Sequence, residues 1–204
     1  MTGHLFIVRG DLTTIACDAI MVPTDKYFTL TQAWDSLELE QPARGWNNDL
    51  AFCYRDCPDK PQVWLGNIGQ PGNDNEFSVY QPAVCEFVRL ASQIPLHREG
   101  RISNWPNIRL GLNVVGAGEG GGKKRRGDLL MGLVDLLQKL ADEHRVDIVL
   151  AAFDDKLYAG AQRARRQLLR QRSDYRPIQT SDLVADWKIG DFAPDDLHTD
   201  RKST

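Results

Sequence analysis

The apolar residues of this chain fall in short dense runs separated by polar stretches rich in glycine and proline. Residues 4–8 form a β-rich run, followed by a turn at Gly10-Asp11-Leu12-Thr13. Residues 18–23 are almost continuously apolar, the signature of a strand buried on both faces. Residues 24–61 are polar and broken by proline and glycine; no element is assigned there, although Trp34, Trp46 and Phe52 stand out. A further strand is predicted over 63–68. Val84, Phe87, Val88 and Ala91 recur at helical spacing and predict a helix over 82–93. In the second half, 108–115 reads as a strand with Leu110, Leu112 and Val114 on one side. Leu130, Leu133, Val134, Leu137, Leu140 and Ala141 form the stripe of an amphipathic helix over 128–144. Residues 146–152 make the next buried strand, and Asp154 or Asp155 is placed to cap a last helix reaching about 172. Leu157, Ala161, Ala164 and Leu168 mark that helix's inner face. This alternation predicts an α/β protein, a mixed sheet covered on both faces, with strands 108–115 and 146–152 central. The body is expected over 1–185, with 186–204 as a polar tail or linker.

Composition narrows the picture. A chain of 204 residues is the length of one domain and buries a core without disulfides. A formal net charge of −3 argues against a nucleic-acid binder as a whole, so affinity for phosphate has to be local. No run is long enough to span a membrane, and the opening lacks the basic lead of a signal peptide, so a cytoplasmic location is expected. Cys17 and Cys85 sit in apolar patterns, as buried cysteines do. Cys53 and Cys57 are spaced for a metal, but no second Cys or His pair completes a zinc set, and no metal is expected. The histidines at 4, 97, 144 and 198 are scattered and expected at the surface. Arg163, Arg165, Arg166, Arg170 and Arg172 crowd the last helix; such a run can touch RNA, DNA or an acidic partner, but without interleaved aromatics to stack bases the expected role is a solvated face.

The clearest chemical signal is Gly116-Ala117-Gly118-Glu119-Gly120-Gly121-Gly122, placed between a buried strand and a helix. Glycines there let a backbone approach a ligand and adopt positive φ. The following helix N-terminus offers unpaired N–H groups, and Lys123, Lys124, Arg125 and Arg126 add positive charge. The run is a candidate diphosphate cradle; the alternative is a glycine-rich surface loop. Gly116, Gly118 and Gly121 also match a dinucleotide fingerprint. That fingerprint opens its sheet and expects an acidic residue about 20 residues on, a position that is still helix here.

Two segments carry a family resemblance. Val8-Arg9-Gly10-Asp11-Leu12-Thr13, continued by Cys17-Asp18-Ala19-Ile20-Met21-Val22-Pro23-Thr24-Asp25, resembles the opening of a macro domain. In that family a Gly-Asp-Ile-Thr turn precedes a strand reading Asp-Ala-Ile-Val and then Asn-Ala-Ala-Asn. Residues 114–121 resemble the family's second phosphate loop. The resemblance implies a three-layer α/β/α macro-like fold with a central mixed sheet, and ADP-ribose or a related nucleotide as ligand with no cofactor required. It implies that Asp11 accepts a hydrogen bond from adenine, with the Leu12 backbone beside it. It implies that Gly116, Ala117, Gly118, Glu119, Gly120 and Gly121 wrap the diphosphate and distal ribose. For Asp11 a plain turn-forming role is the alternative. The pattern is also similar to the N-terminal region of bacterial proteins in which a macro-like domain precedes a sirtuin-like one. A sirtuin-like domain or protein is therefore an implied partner.

The departures bear on function. Asn-Ala-Ala-Asn becomes Val22-Pro23-Thr24-Asp25, which puts a carboxylate where the family's ribose-holding asparagine stands. The family's first glycine loop is absent, since 27–39 contains no glycine, and its aromatic cover of the distal ribose falls at Gly120. Asp25 is a candidate general base or, more simply, a cap. The expected function is nucleotide binding without catalysis. An ADP-ribosyl hydrolase or NAD-processing enzyme and a ligand-free contact module are the alternatives.

Overall fold

The computed structural model describes residues 3–57, 60–69, 76–96, 106–116 and 126–171. Over them the chain runs through β1 (His4–Arg9), a 3-10 turn (Leu12–Thr14), β2 (Ala19–Thr24), a longer 3-10 segment (Gln32–Leu37), β3 (Ala51–Arg55) and β4 (Gln62–Asn67). It continues through α1 (Phe77–Ala91), β5 (Arg109–Asn113), α2 (Arg126–His144), β6 (Asp147–Ala152) and α3 (Asp155–Gln171). The expected boundary at 185 and 186 lies outside the described residues.

Six strands form one mixed sheet in the order β1-β6-β5-β2-β4-β3. Five are parallel, and β3 runs antiparallel to β4. As predicted, β5 and β6 are interior. The burial pattern follows from position. All six residues of β6 are buried, whereas β1 at the edge alternates, with Leu5 and Ile7 inward and His4 and Phe6 outward. At the amino-terminal edge the buried carboxylate of Asp147 accepts hydrogen bonds from His4 N (3.1 Å), His4 Nδ1 (2.9 Å) and Asn107 Nδ2 (3.0 Å). His4 is exposed as expected, but it also ties β1 to β6.

One face of the sheet packs against α1 and α2. Val84, Phe87, Val88, Leu133, Val134 and Leu137 share a cluster with Leu110, Leu112, Ile148 and Leu150. Each such side chain contributes about 1.5–3 kcal/mol on full burial. Leu157, Ala161 and Ala164 of α3 join the same cluster. A Cβ on Gly160 would meet Leu130 Cδ1 at 2.7 Å, so glycine lets α3 lie close against α2. The other face is covered by Leu12, Cys17, Trp34 and Trp46, packed on Ile20, Val22, Phe52, Leu65 and Val149. The polar-looking stretch 24–61 thus turns its three aromatics inward and serves as cover. Strand β3 lies inside it and has no signature in the sequence, because Ala51, Phe52, Cys53 and Tyr54 follow one another without alternation and five residues give no clear period.

Helix α1 begins at Phe77, five residues before the predicted start. Proline at 82 suits a first helical position, but it stands here as an exposed sixth residue, and the added turn buries Tyr80. No helix among the described residues is long and apolar enough to cross a membrane.

Candidate functional site

The parallel strands β1, β6, β5, β2 and β4 bring their carboxyl ends to a single edge, where open α/β sheets hold ligands. Register sets what meets there. Arg9 is opposite Ala152, and Ala151 opposite Asn113, so the residues after β1, β6 and β5 emerge side by side. Pairing of β2 with β5 ends at Met21 and Leu112, although pairing of β2 with β4 continues to Thr24 and Asn67. Pro23, which has no N–H to donate, lies in the stretch where β2 has left β5. Asp11, Phe153, Gly116 and Asp25 all follow strands that end at this edge.

Asp11 caps the 3-10 turn. Its Oδ1 accepts from Thr13 N at 2.9 Å, and its carbonyl accepts from Thr14 Oγ1 at 2.8 Å. The turn-forming role is therefore present in the structure. An ionised carboxylate has about four acceptor sites, so one backbone bond leaves capacity for a ligand donor, and the residue is exposed. Leu12 is fixed by packing at 1% exposure. A Cβ on Gly111 would meet Leu12 Cδ1 at 2.7 Å and Cys17 Sγ at 2.8 Å, so the turn is seated directly on β5.

Gly116 has φ of 76°, the left-handed conformation that favours glycine. Space demands glycine as well: a Cβ would lie 2.7 Å from Tyr80 Cζ and 2.9 Å from Leu129 Cδ1. The side of Gly116 that a side chain would occupy is filled by α1 and α2, so this glycine is required by packing whether or not a ligand binds. Ala117, Gly118, Glu119, Gly120 and Gly121 lie outside the described residues. So do Gly122, Lys123, Lys124 and Arg125. Arg126 opens α2 half-buried, with Asp128 in the first turn.

Asp25 organises the loop after β2. Its Oδ1 accepts from Tyr27 N at 2.8 Å and from Thr29 N at 2.9 Å. Its carbonyl accepts from Phe28 N at 3.1 Å and Trp46 Nε1 at 3.2 Å. Phe28, at φ of 61°, stacks on Trp46 with ring centroids 4.8 Å apart, and both contact Phe52 edge-on. A non-glycine residue in that conformation costs about 1–3 kcal/mol, which the stacking and the cap offset. Two backbone donors hold Oδ1, so the carboxylate serves as the cap of its own loop.

Phe153 was missed in the sequence. It follows β6 directly and is 60% exposed, an aromatic ring open to solvent between the positions of Asp11 and Gly116. The available signal was an aromatic between an all-buried strand and Asp154, whose Oδ1 caps α3 by accepting from Leu157 N at 2.7 Å. Cys17 and Cys85 make poor nucleophiles. Burial pushes the Cys17 thiol up to about 12, against a smaller opposing effect of Arg109, and burial raises Cys85 as well.

No protein-family model matches this sequence, and no curated protein matches it. Solved structures do match the fold, and they are macrodomains. The Oceanobacillus iheyensis macrodomain with MES bound aligns with a TM-score of 0.55 at 12% identity, covering 81% of this chain and 92% of that one. A point mutant of the Oceanobacillus iheyensis macrodomain gives 0.55 at 11%, covering 81% and 93%. A Trypanosoma brucei macrodomain in complex with ADP gives 0.52 at 13%, covering 79% and 68%. At these identities the likeness speaks to the fold alone, and the fold of this chain is that of a macrodomain.

Proposed function

We propose that this chain is a nucleotide-binding module that takes ADP-ribose or a related NAD-derived nucleotide at the carboxyl edge of its sheet and does not turn it over. The observation that carries this reading is the convergence of Asp11, Phe153 and Gly116 at the ends of adjacent parallel strands. A carboxylate suits a base amino group, an exposed ring suits the base's flat face, and a glycine-led loop before a helix N-terminus suits a diphosphate. The solved macrodomain that holds ADP supports the same ligand class. Non-catalytic binding is supported by Asp25, whose carboxylate is engaged by its own loop. A sirtuin-like partner that consumes NAD and releases ADP-ribose derivatives would make such a module a sensor of that partner's product.

Calorimetric titration of the full chain with ADP-ribose, NAD and AMP tests the proposal. Asp11→Ala is expected to weaken binding by about 1.5–3 kcal/mol, the worth of one charge-assisted hydrogen bond. Gly118→Val is expected to weaken it further by blocking backbone approach. Unchanged affinity in both folded variants moves the site elsewhere. Absence of binding at about millimolar ligand, an affinity of only about 4 kcal/mol, leaves a contact module.

A further inference from the structure

Helix α3 starts at the carboxyl edge, directly after Phe153 and the Asp154 cap, and buries Leu157, Ala161 and Ala164 on its inner face. At about 100° per residue, Lys156, Arg163 and Arg166 fall on the opposite side within an arc of about 80°. All three are exposed, and Arg170 in the last turn falls in the same arc. The other helix residue in that arc is Ala159. Lys156 to Arg166 spans about 15 Å of helix. The single acidic residue of α3, Asp155, is engaged by Arg9 Nε at 3.0 Å. Among the described residues, no ion pair involves Lys156, Arg163, Arg166 or Arg170.

This arrangement opposes helix stability. Arg163 and Arg166 are three apart and Arg166 and Arg170 four apart, so like charges face each other along one line. An anion laid along the helix relieves that repulsion. A protein partner would need apolar or aromatic anchors at the centre of its contact, where charge is depleted, and this arc offers one alanine. A partner held by charge alone fits better.

The geometry points to α3 as a docking line for the phosphodiester backbone of single-stranded nucleic acid, bound without sequence preference. No aromatic ring lies in the arc to stack a base, so the contact is with phosphates alone, which carry no sequence information. The slightly negative whole-molecule charge keeps this contact local and weak. It is independent of nucleotide binding at the sheet edge.

The test is fluorescence anisotropy of a labelled oligo-dT of about 20 nucleotides with the full chain, between about 50 and 200 mM NaCl. Binding is expected to weaken with salt at a log–log slope of about −2 to −3, three to four phosphates at about 0.7 each. Arg163→Glu with Arg166→Glu should lower affinity at least about tenfold, and Arg163→Gln with Arg166→Gln about fivefold, with helix content by circular dichroism unchanged in the latter. Arg163→Lys with Arg166→Lys should retain most binding. No binding at the lower salt overturns the inference, as does unchanged affinity in the folded Gln pair. Displacement of the oligonucleotide by polyglutamate at equal charge concentration would assign the helix to an acidic protein instead.

Discussion

At the scale of single residues, the edge of this sheet shows how one side chain serves structure and remains open to function. Asp11 holds its own turn through Thr13 N and is still exposed. Gly116 is the sharper case, because its positive φ and the 2.7 Å approach of Tyr80 both exclude a Cβ. Tyr80 is fully buried and has nowhere to move. Gly116→Ala is therefore expected to destabilise the protein by about 2 kcal/mol or more, combining left-handed strain with overpacking. Urea unfolding followed by circular dichroism measures this. A midpoint equal to that of the unmodified chain would mean that Tyr80 does not pack beneath the glycine.

At the scale of elements, the long periodic segments follow their patterns and the irregular one does not. The stripe from Leu130 to Ala141 and the apolar run Ile148–Ala152 of β6 announce themselves because each residue's burial follows the period of its own helix or strand. The loop after β2 is decided by contacts between distant residues. Asp25, Phe28, Trp46 and Phe52 meet across more than twenty positions of chain, and no local period marks them. Asp25→Ala should cost about 1–2 kcal/mol by freeing Tyr27 N and Thr29 N, and Asp25→Asn should cost less, since an amide oxygen still accepts. Trp46 emission during denaturation reads the loop directly. Equal midpoints for Asp25→Ala and the unmodified chain would remove Asp25 from its capping role.

At the scale of the whole molecule, the parallel sheet collects residues from four strand ends onto one edge and leaves Asp25 engaged in its own loop. On the proposed reading of a binding module, ADP-ribose linkages are held without being cleaved. Release of ADP-ribose from a modified peptide is expected far below about 1 per second, a modest enzymatic rate. Turnover near that rate would show that a base other than Asp25 is present, or that the loop opens on binding. Asp11 and Gly116 were legible as site candidates because each follows a recognisable strand at a turn signal. Phe153 was not, because an aromatic that closes an apolar run reads as the last buried residue of its strand as readily as an exposed one.

The sequence by itself determined the class of fold. Runs of period two and period 3.6, in alternation, leave a layered α/β sheet as the economical way to bury both strand faces and helix stripes. It also determined where turns and glycines interrupt those runs. Strand order, the parting of β2 from β5 near Pro23, and the inward turn of Trp34, Trp46 and Phe52 were decided only in the tertiary structure. Those features depend on which distant surfaces become neighbours, and local periodicity holds no record of that. The same reason applies at Gly116: the sequence shows a glycine, and only the fold shows the Tyr80 ring that requires it.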